Sequence, residues 1–146
     1  RAAEALNTIG ERCVSEGFTF GYHNHAFELI PLENGQRGLD ILFENTDEQL
    51  VKVELDCYWV THAGLDPEAI IRRYQERCVS LHIKDMKESS GEKVSTEVGN
   101  GSLNIKSLLE VGKTYHVDWF TVEQEDFERD TLESAAINFQ NLQSLL

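Results

Sequence analysis

The stretch Cys78-Val-Ser-Leu-His-Ile-Lys-Asp85 reads as a strand over Cys78–Ile83 whose C-terminal end carries histidine, lysine and aspartate. Apolar and β-branched residues suit the strand. Upstream, Asp66-Pro67 marks a helix start, a capping side chain followed by proline in the first turn. Ile70, Ile71 and Tyr74 give that helix its buried face. Before it, Val51-Lys-Val-Glu-Leu-Asp56 alternates as a second strand does. Earlier still, Phe18-Thr-Phe-Gly-Tyr-His23 is a strand that follows a helix. That helix has apolar positions Ala2, Leu6, Ile9 and Cys13 and closes at Gly17. A loop with Pro31, Asn34, Gly35 and Gly38 leads to a short helix around Leu39, Leu42 and Phe43. Downstream, a polar loop runs from Lys87 to Gly101, and Asn104 caps the next helix. Trp119-Phe-Thr-Val-Glu123 is the last strand. Asp130 and Glu133 resemble a capping box for a final helix, with Leu132, Ala136, Phe139, Leu142 and Leu146 at helical spacing.

The order is therefore one helix and then four βα units, spread over residues 1–146 as a single partial-barrel domain. Such alternation implies an α/β fold with a parallel sheet and right-handed crossovers. Four units make half of a (β/α)8 barrel or a small doubly wound sheet. A complete TIM barrel takes about 250 residues. A nucleotide-binding doubly wound sheet calls for a glycine-rich loop after its first strand, where this chain has His23-Asn24-His25.

The chain has 146 residues, a net charge of −13 and three cysteines with no CxxC spacing. The acidity disfavours nucleic acid and anionic membranes as partners. The cysteines argue against a disulfide framework and a zinc-thiolate site and fit a reducing, cytoplasmic setting. The chain opens at Arg1, inside a helical pattern, so a signal peptide or an upstream half-barrel could precede it. A half-barrel alone exposes the flank strands of its sheet, which invites a homo-oligomer.

Each strand ends in metal-binding chemistry. The ends are His23-Asn-His25-Ala-Phe-Glu28, Asp56-Cys-Tyr-Trp59, His82-Ile-Lys-Asp85 and Glu123-Gln-Glu-Asp126. In parallel α/β folds these ends share one face, where active sites sit. Carboxylates with one imidazole favour Mn²⁺ or Mg²⁺ and also admit Co²⁺, Fe²⁺ or Zn²⁺.

These segments resemble the xylose isomerase-like sugar phosphate isomerase/epimerase superfamily of barrels. The resemblance spans the chain and is carried by Tyr22-His-Asn-His-Ala-Phe-Glu28, Glu54-Leu-Asp-Cys-Tyr-Trp59, Leu81-His-Ile-Lys-Asp85, Glu97-Val-Gly-Asn-Gly101 and Val122-Glu-Gln124. It implies strands five to eight of the barrel, and one divalent metal held by Glu28, Asp56, His82 and Glu123. Glu28 and Glu123 would double as the acid/base pair. The implied reaction removes a proton beside a sugar carbonyl and passes through an enediolate, leading to isomerisation or epimerisation. A dehydratase or lyase, or a silent half-barrel module, is the alternative. The implied partner is a small sugar or sugar phosphate. His23, His25, Lys84 and Trp59 are the candidate substrate contacts. Trp59 stands where ketose epimerases of the superfamily carry a histidine. Their substrate-binding arginine is replaced by nearby Lys84 and Lys87.

Overall fold

A computed structural model describes residues 1–146. Helix α1 (Ala2–Ser15) is followed by β1 (Gly21–His23), a 3₁₀ turn at Phe27–Leu29 and α2 (Gly38–Glu44). Then come β2 (Lys52–Asp56), α3 (Cys57–His62), α4 (Pro67–Arg73) and β3 (Cys78–Ile83). The chain continues through β4 (Asp85–Ser89), β5 (Glu92–Thr96), α5 (Ile105–Thr114), β6 (Trp119–Val122) and α6 (Thr131–Leu145).

Strands β1, β2, β3 and β6 form one parallel sheet in that order. The period of two gives the sheet two unlike faces. Val53, Leu55, Leu81 and Ile83 point to the helices and join an 18-residue core with Ile71, Leu108 and Leu109. On β2 the alternate residues Lys52, Glu54 and Asp56 point the other way. That concave face is polar, unlike the packed Val/Ile/Leu interior common in closed barrels.

The expected helix starts are in place. Asp66 accepts the Glu68 N–H at 3.0 Å, Asn104 accepts that of Ser107 at 3.2 Å, and Asp130 accepts that of Leu132 at 2.9 Å. Asp130→Ala is expected to cost about 1 kcal/mol, the usual worth of such a cap, read as a small drop in urea midpoint.

One reading is corrected and two features are added. The segment after Lys87 is not a plain loop: β4 and β5 form an antiparallel hairpin that folds over the strand ends. A helix, α3, begins directly after β2, because the Asp56 carboxylate caps it by accepting the Trp59 N–H at 2.9 Å. The apolar positions of α6 are buried only in part, Leu142 alone among those named packing against the core. Leu132 and Phe139 are exposed, whereas Ser134 and Asn138 are buried against Glu97, Val98 and Gln124 through hydrogen bonds. The apolar side of α6 instead flanks the unpaired edge of β6, where Val122, Phe127 and Leu142 line an open groove. The outer edge of β1 is also unpaired. Polar side chains dock the helix here because their partners are polar: the Glu97 carboxylate, the Val98 N–H and the Gln124 amide.

Candidate metal centre

At the C-terminal rim of the sheet, His23, Asp56, His82 and Glu123 each offer one ligand atom, and these atoms lie within 4.8 Å of one another. The parallel register explains the convergence. Asp56 and His82 are partners across β2 and β3, and the Glu123 N–H continues the ladder to the Ile83 carbonyl at 3.3 Å. Buried Asn24 extends the pairing of β1 and β2 past its last rung by accepting the Asp56 N–H at 2.9 Å.

The Asp56 side chain is fully buried. Its Oδ2 lies 3.8 Å from His23 Nε2 and 3.9 Å from His82 Nδ1 and has no hydrogen-bond partner. Burial pushes its pKa up to about 6, against the lowering effect of the Trp59 N–H and of the charges on Lys84 and His82. Burial, with the neighbouring rings of His82 and His25, lowers the pKa of His23, so its imidazole is neutral and free to act as a ligand at neutral pH. For Glu123, burial opposes ionisation. The hydrogen bond from His82 and the charge of Lys84 outweigh it and hold the carboxyl below its ordinary value.

His82 has a carboxylate at each ring nitrogen: Glu123 Oε2 lies 2.5 Å from Nδ1, and Glu54 lies against Nε2. A neutral imidazole has only one N–H. A buried carboxylate oxygen without a partner, beside ring nitrogens that face carboxylates, fits a cation among these four groups. Two carboxylates and two neutral imidazoles balance a divalent charge.

Three of the four expected ligands, Asp56, His82 and Glu123, are thus brought together. The first strand contributes His23 to this group, a residue expected only as a substrate contact. Glu28 is not in the group. Its buried carboxylate accepts the Tyr22 hydroxyl at 2.7 Å and the His25 N–H at 2.9 Å, which holds the turn after β1. The Tyr22 hydroxyl is pushed up to about 12 by burial and by this carboxylate.

The His25 ring lies 5.1 Å from that of His23 and 5.6 Å from that of Trp59. Imidazole and indole therefore form one wall beside the cluster. Lys84 is enclosed. Its ammonium pairs with Glu125 at 2.6 Å and sits 4.8 Å and 5.0 Å from the ring centres of Tyr58 and Trp59. Its distance from solvent suits an electrostatic influence on Asp56 and Glu123 better than direct substrate contact. The sequence pattern assigns no role to Asn24 or Glu54. The available signal for Glu54 was its place two residues before Asp56, on the same face of β2.

A model of the xylose isomerase-like TIM barrel family matches residues 1–143. The chain belongs to that family. Among xylose isomerase-like proteins, the inosose dehydratase of Clostridium beijerinckii is 25% identical over 139 residues, covering 84% of this chain and 46% of that protein. A solved sugar phosphate isomerase/epimerase from Parabacteroides distasonis is 26% identical with a TM-score of 0.84, over 97% of this chain and 50% of that one. The 3-keto-D-glucoside 4-epimerase of E. coli shares the fold, with a TM-score of 0.66 at 15% identity over 98% of this chain and 51% of that one. The chain spans about half the length of the relatives it matches. The four-stranded parallel sheet accordingly corresponds to about half of a xylose isomerase-like barrel.

Proposed function

We propose that this chain carries the divalent-metal and proton-transfer half of an enzyme that acts on a keto sugar by removing a proton beside its carbonyl. The observation that carries this reading is the group His23, Asp56, His82 and Glu123, with its unpartnered Asp56 oxygen. Two imidazoles with two carboxylates suit Mn²⁺, Co²⁺, Fe²⁺ or Zn²⁺ better than Mg²⁺. When bound, such a cation supplies Lewis-acid stabilisation of the negative charge that develops on the substrate's carbonyl and neighbouring hydroxyl oxygens.

The protein's own groups divide the remaining work. Glu123 is about one-third exposed and is held ionised, so it can accept the C–H proton. His25 stands on the opposite flank of the cluster, beside Trp59, where it can return a proton to the resulting enediolate. Trp59 offers an apolar wall to the sugar ring, and Glu28 fixes the turn that carries His25. Return of the proton to the other face gives the epimer, and return to the neighbouring carbon gives the isomer. Expulsion of a β-hydroxyl, protonated as it leaves as water, gives a dehydratase. The similarity to inosose dehydratases favours that last outcome as the second reading.

The test is solvent exchange. Incubated with Mn²⁺ and ketoses in D₂O, the protein is expected to exchange the proton beside the carbonyl. Glu123→Gln is expected to slow this exchange by roughly 100-fold or more, the usual weight of a positioned acid or base. Proton NMR follows the exchange, and a new ultraviolet band from an unsaturated carbonyl reports water loss. Intact metal binding with no exchange on any keto sugar would count against catalysis.

A further inference from the structure

We infer that Glu54 is the positioning residue for His82: it accepts the proton on Nε2 and thereby leaves Nδ1 as the nitrogen that faces the cation. The inference rests on the cation-site reading above and deepens it.

Glu54 lies on β2 one strand period before Asp56, on the same concave face, and its rung partner on β3 is Ser80. Its side chain therefore starts one layer below Asp56 and approaches His82 from beneath. Glu54 Oε1 meets His82 Nε2, while His82 Nδ1 faces Glu123 Oε2 at 2.5 Å and Asp56 Oδ2 at 3.9 Å. The ring is thus clasped from both ends, and the two ends differ in kind. The Nδ1 side holds two other ligand candidates, Asp56 and Glu123. The Nε2 side holds Glu54 alone.

A metal-bound imidazole has one nitrogen on the metal and a proton on the other. A carboxylate on that proton fixes the tautomer and the ring plane and makes the ligand nitrogen more basic. Glu54 is outside the group of converging ligand atoms, so it acts through His82. No other carboxylate pairs with Nε2, and loss of Glu54 leaves that proton to solvent.

The experiment measures cation affinity and the His82 tautomer on the 146-residue chain, without reference to activity. Zn²⁺ and Mn²⁺ are titrated by calorimetry into the parent, Glu54→Gln, Glu54→Ala, Asp56→Asn and His82→Gln. In the Zn²⁺-loaded, ¹⁵N-histidine-labelled parent, the His82 ring is expected to show a protonated Nε2 and a metal-bound Nδ1. Glu54→Ala is expected to weaken affinity by roughly 10- to 100-fold, the usual cost of losing such a partner. Glu54→Gln keeps an acceptor oxygen and is expected to recover most of that loss. A merely structural role would change thermal stability without changing the tautomer.

Parent-like affinity in Glu54→Ala, or metal on Nε2 in the parent, overturns the assignment. So does a loss in Glu54→Ala as deep as that of Asp56→Asn, since Glu54 would then be a ligand itself. If Glu54→Ala does not fold, the parent's ¹⁵N spectrum and Glu54→Gln still decide. Parent-like binding by both Asp56→Asn and His82→Gln would instead remove the cation site, and the Glu54 assignment with it.

Discussion

Asp56→Asn is expected to stabilise the cation-free chain at pH 8 and to lower its affinity for divalent cations by more than about 100-fold. The two effects have one cause. Burial raises the folded-state pKa of Asp56 to about 6 from its ordinary 3.8. Between these values the folded chain keeps a proton that the unfolded chain has released. Stability from this group therefore falls as pH rises from about 4 to 6, and the penalty is complete above 6. By the usual conversion it amounts to about 3 kcal/mol. Asparagine is uncharged and keeps an oxygen to accept the Trp59 N–H that Asp56 now caps. Its amide hydrogens are imperfectly matched there, so the expected net gain is on the order of 2 kcal/mol, roughly 5 °C in melting temperature. At pH 4 the gain should vanish. Mn²⁺ should reverse the order, because it stabilises only a protein that binds it. Scanning calorimetry at pH 4 and pH 8, with and without Mn²⁺, checks all four conditions. A variant that melts below the parent at pH 8 without cation, or that keeps parent-like Mn²⁺ affinity, contradicts this account. Stability sacrificed at an unpartnered buried carboxylate is what a binding site costs a fold.

Asp85→Ala is expected to lose about 3 kcal/mol of stability. The Asp85 carboxylate is fully buried and accepts four backbone N–H groups: Met86 at 2.8 Å, Gly99 and Gly101 at 2.9 Å, and Leu103 at 3.0 Å. It gathers the start of the β4–β5 hairpin and the segment leading into α5. Gly101 permits this closeness, since a Cβ there would lie 2.3 Å from Asp85 Oδ1. Removing the carboxylate strands the buried Met86 donor, at a cost of about 1–3 kcal/mol, and loosens three part-buried donors that water can reach in part. Urea unfolding should show the loss. Hydrogen exchange should show the Gly99, Gly101 and Leu103 amides opening first. A deficit under 1 kcal/mol would show that water or a rearranged loop replaces the carboxylate.

Much of this was readable along the chain. The βα alternation, the caps at Asp66, Asn104 and Asp130, and the gathering of Asp56, His82 and Glu123 at one rim follow from local pattern and strand polarity. The hairpin at Asp85–Thr96 escaped because its strands are polar on both sides, so no hydrophobic alternation marks them. Helix α3 escaped because its cap, Asp56, was already assigned to the end of β2. The buried Ser134 and Asn138 on α6 ran against the rule that apolar spacing marks the inner face.

The first-strand ligand divides the two kinds of knowledge most clearly. His23 and Glu28 both follow the same strand, and both carry metal-binding chemistry. Residue type alone placed a candidate ligand at this strand end, because strand polarity sends all four ends to one face. Which residue reaches the others depended on the turn after β1. There Glu28 folds back onto Tyr22 and the His25 N–H, and His23 is left facing Asp56. Such a turn is set by contacts between residues several positions apart, and those have no periodic trace in the sequence. The same holds for Glu54. Its place on β2 was legible, but its hold on His82 exists only because β2 and β3 pair in one register.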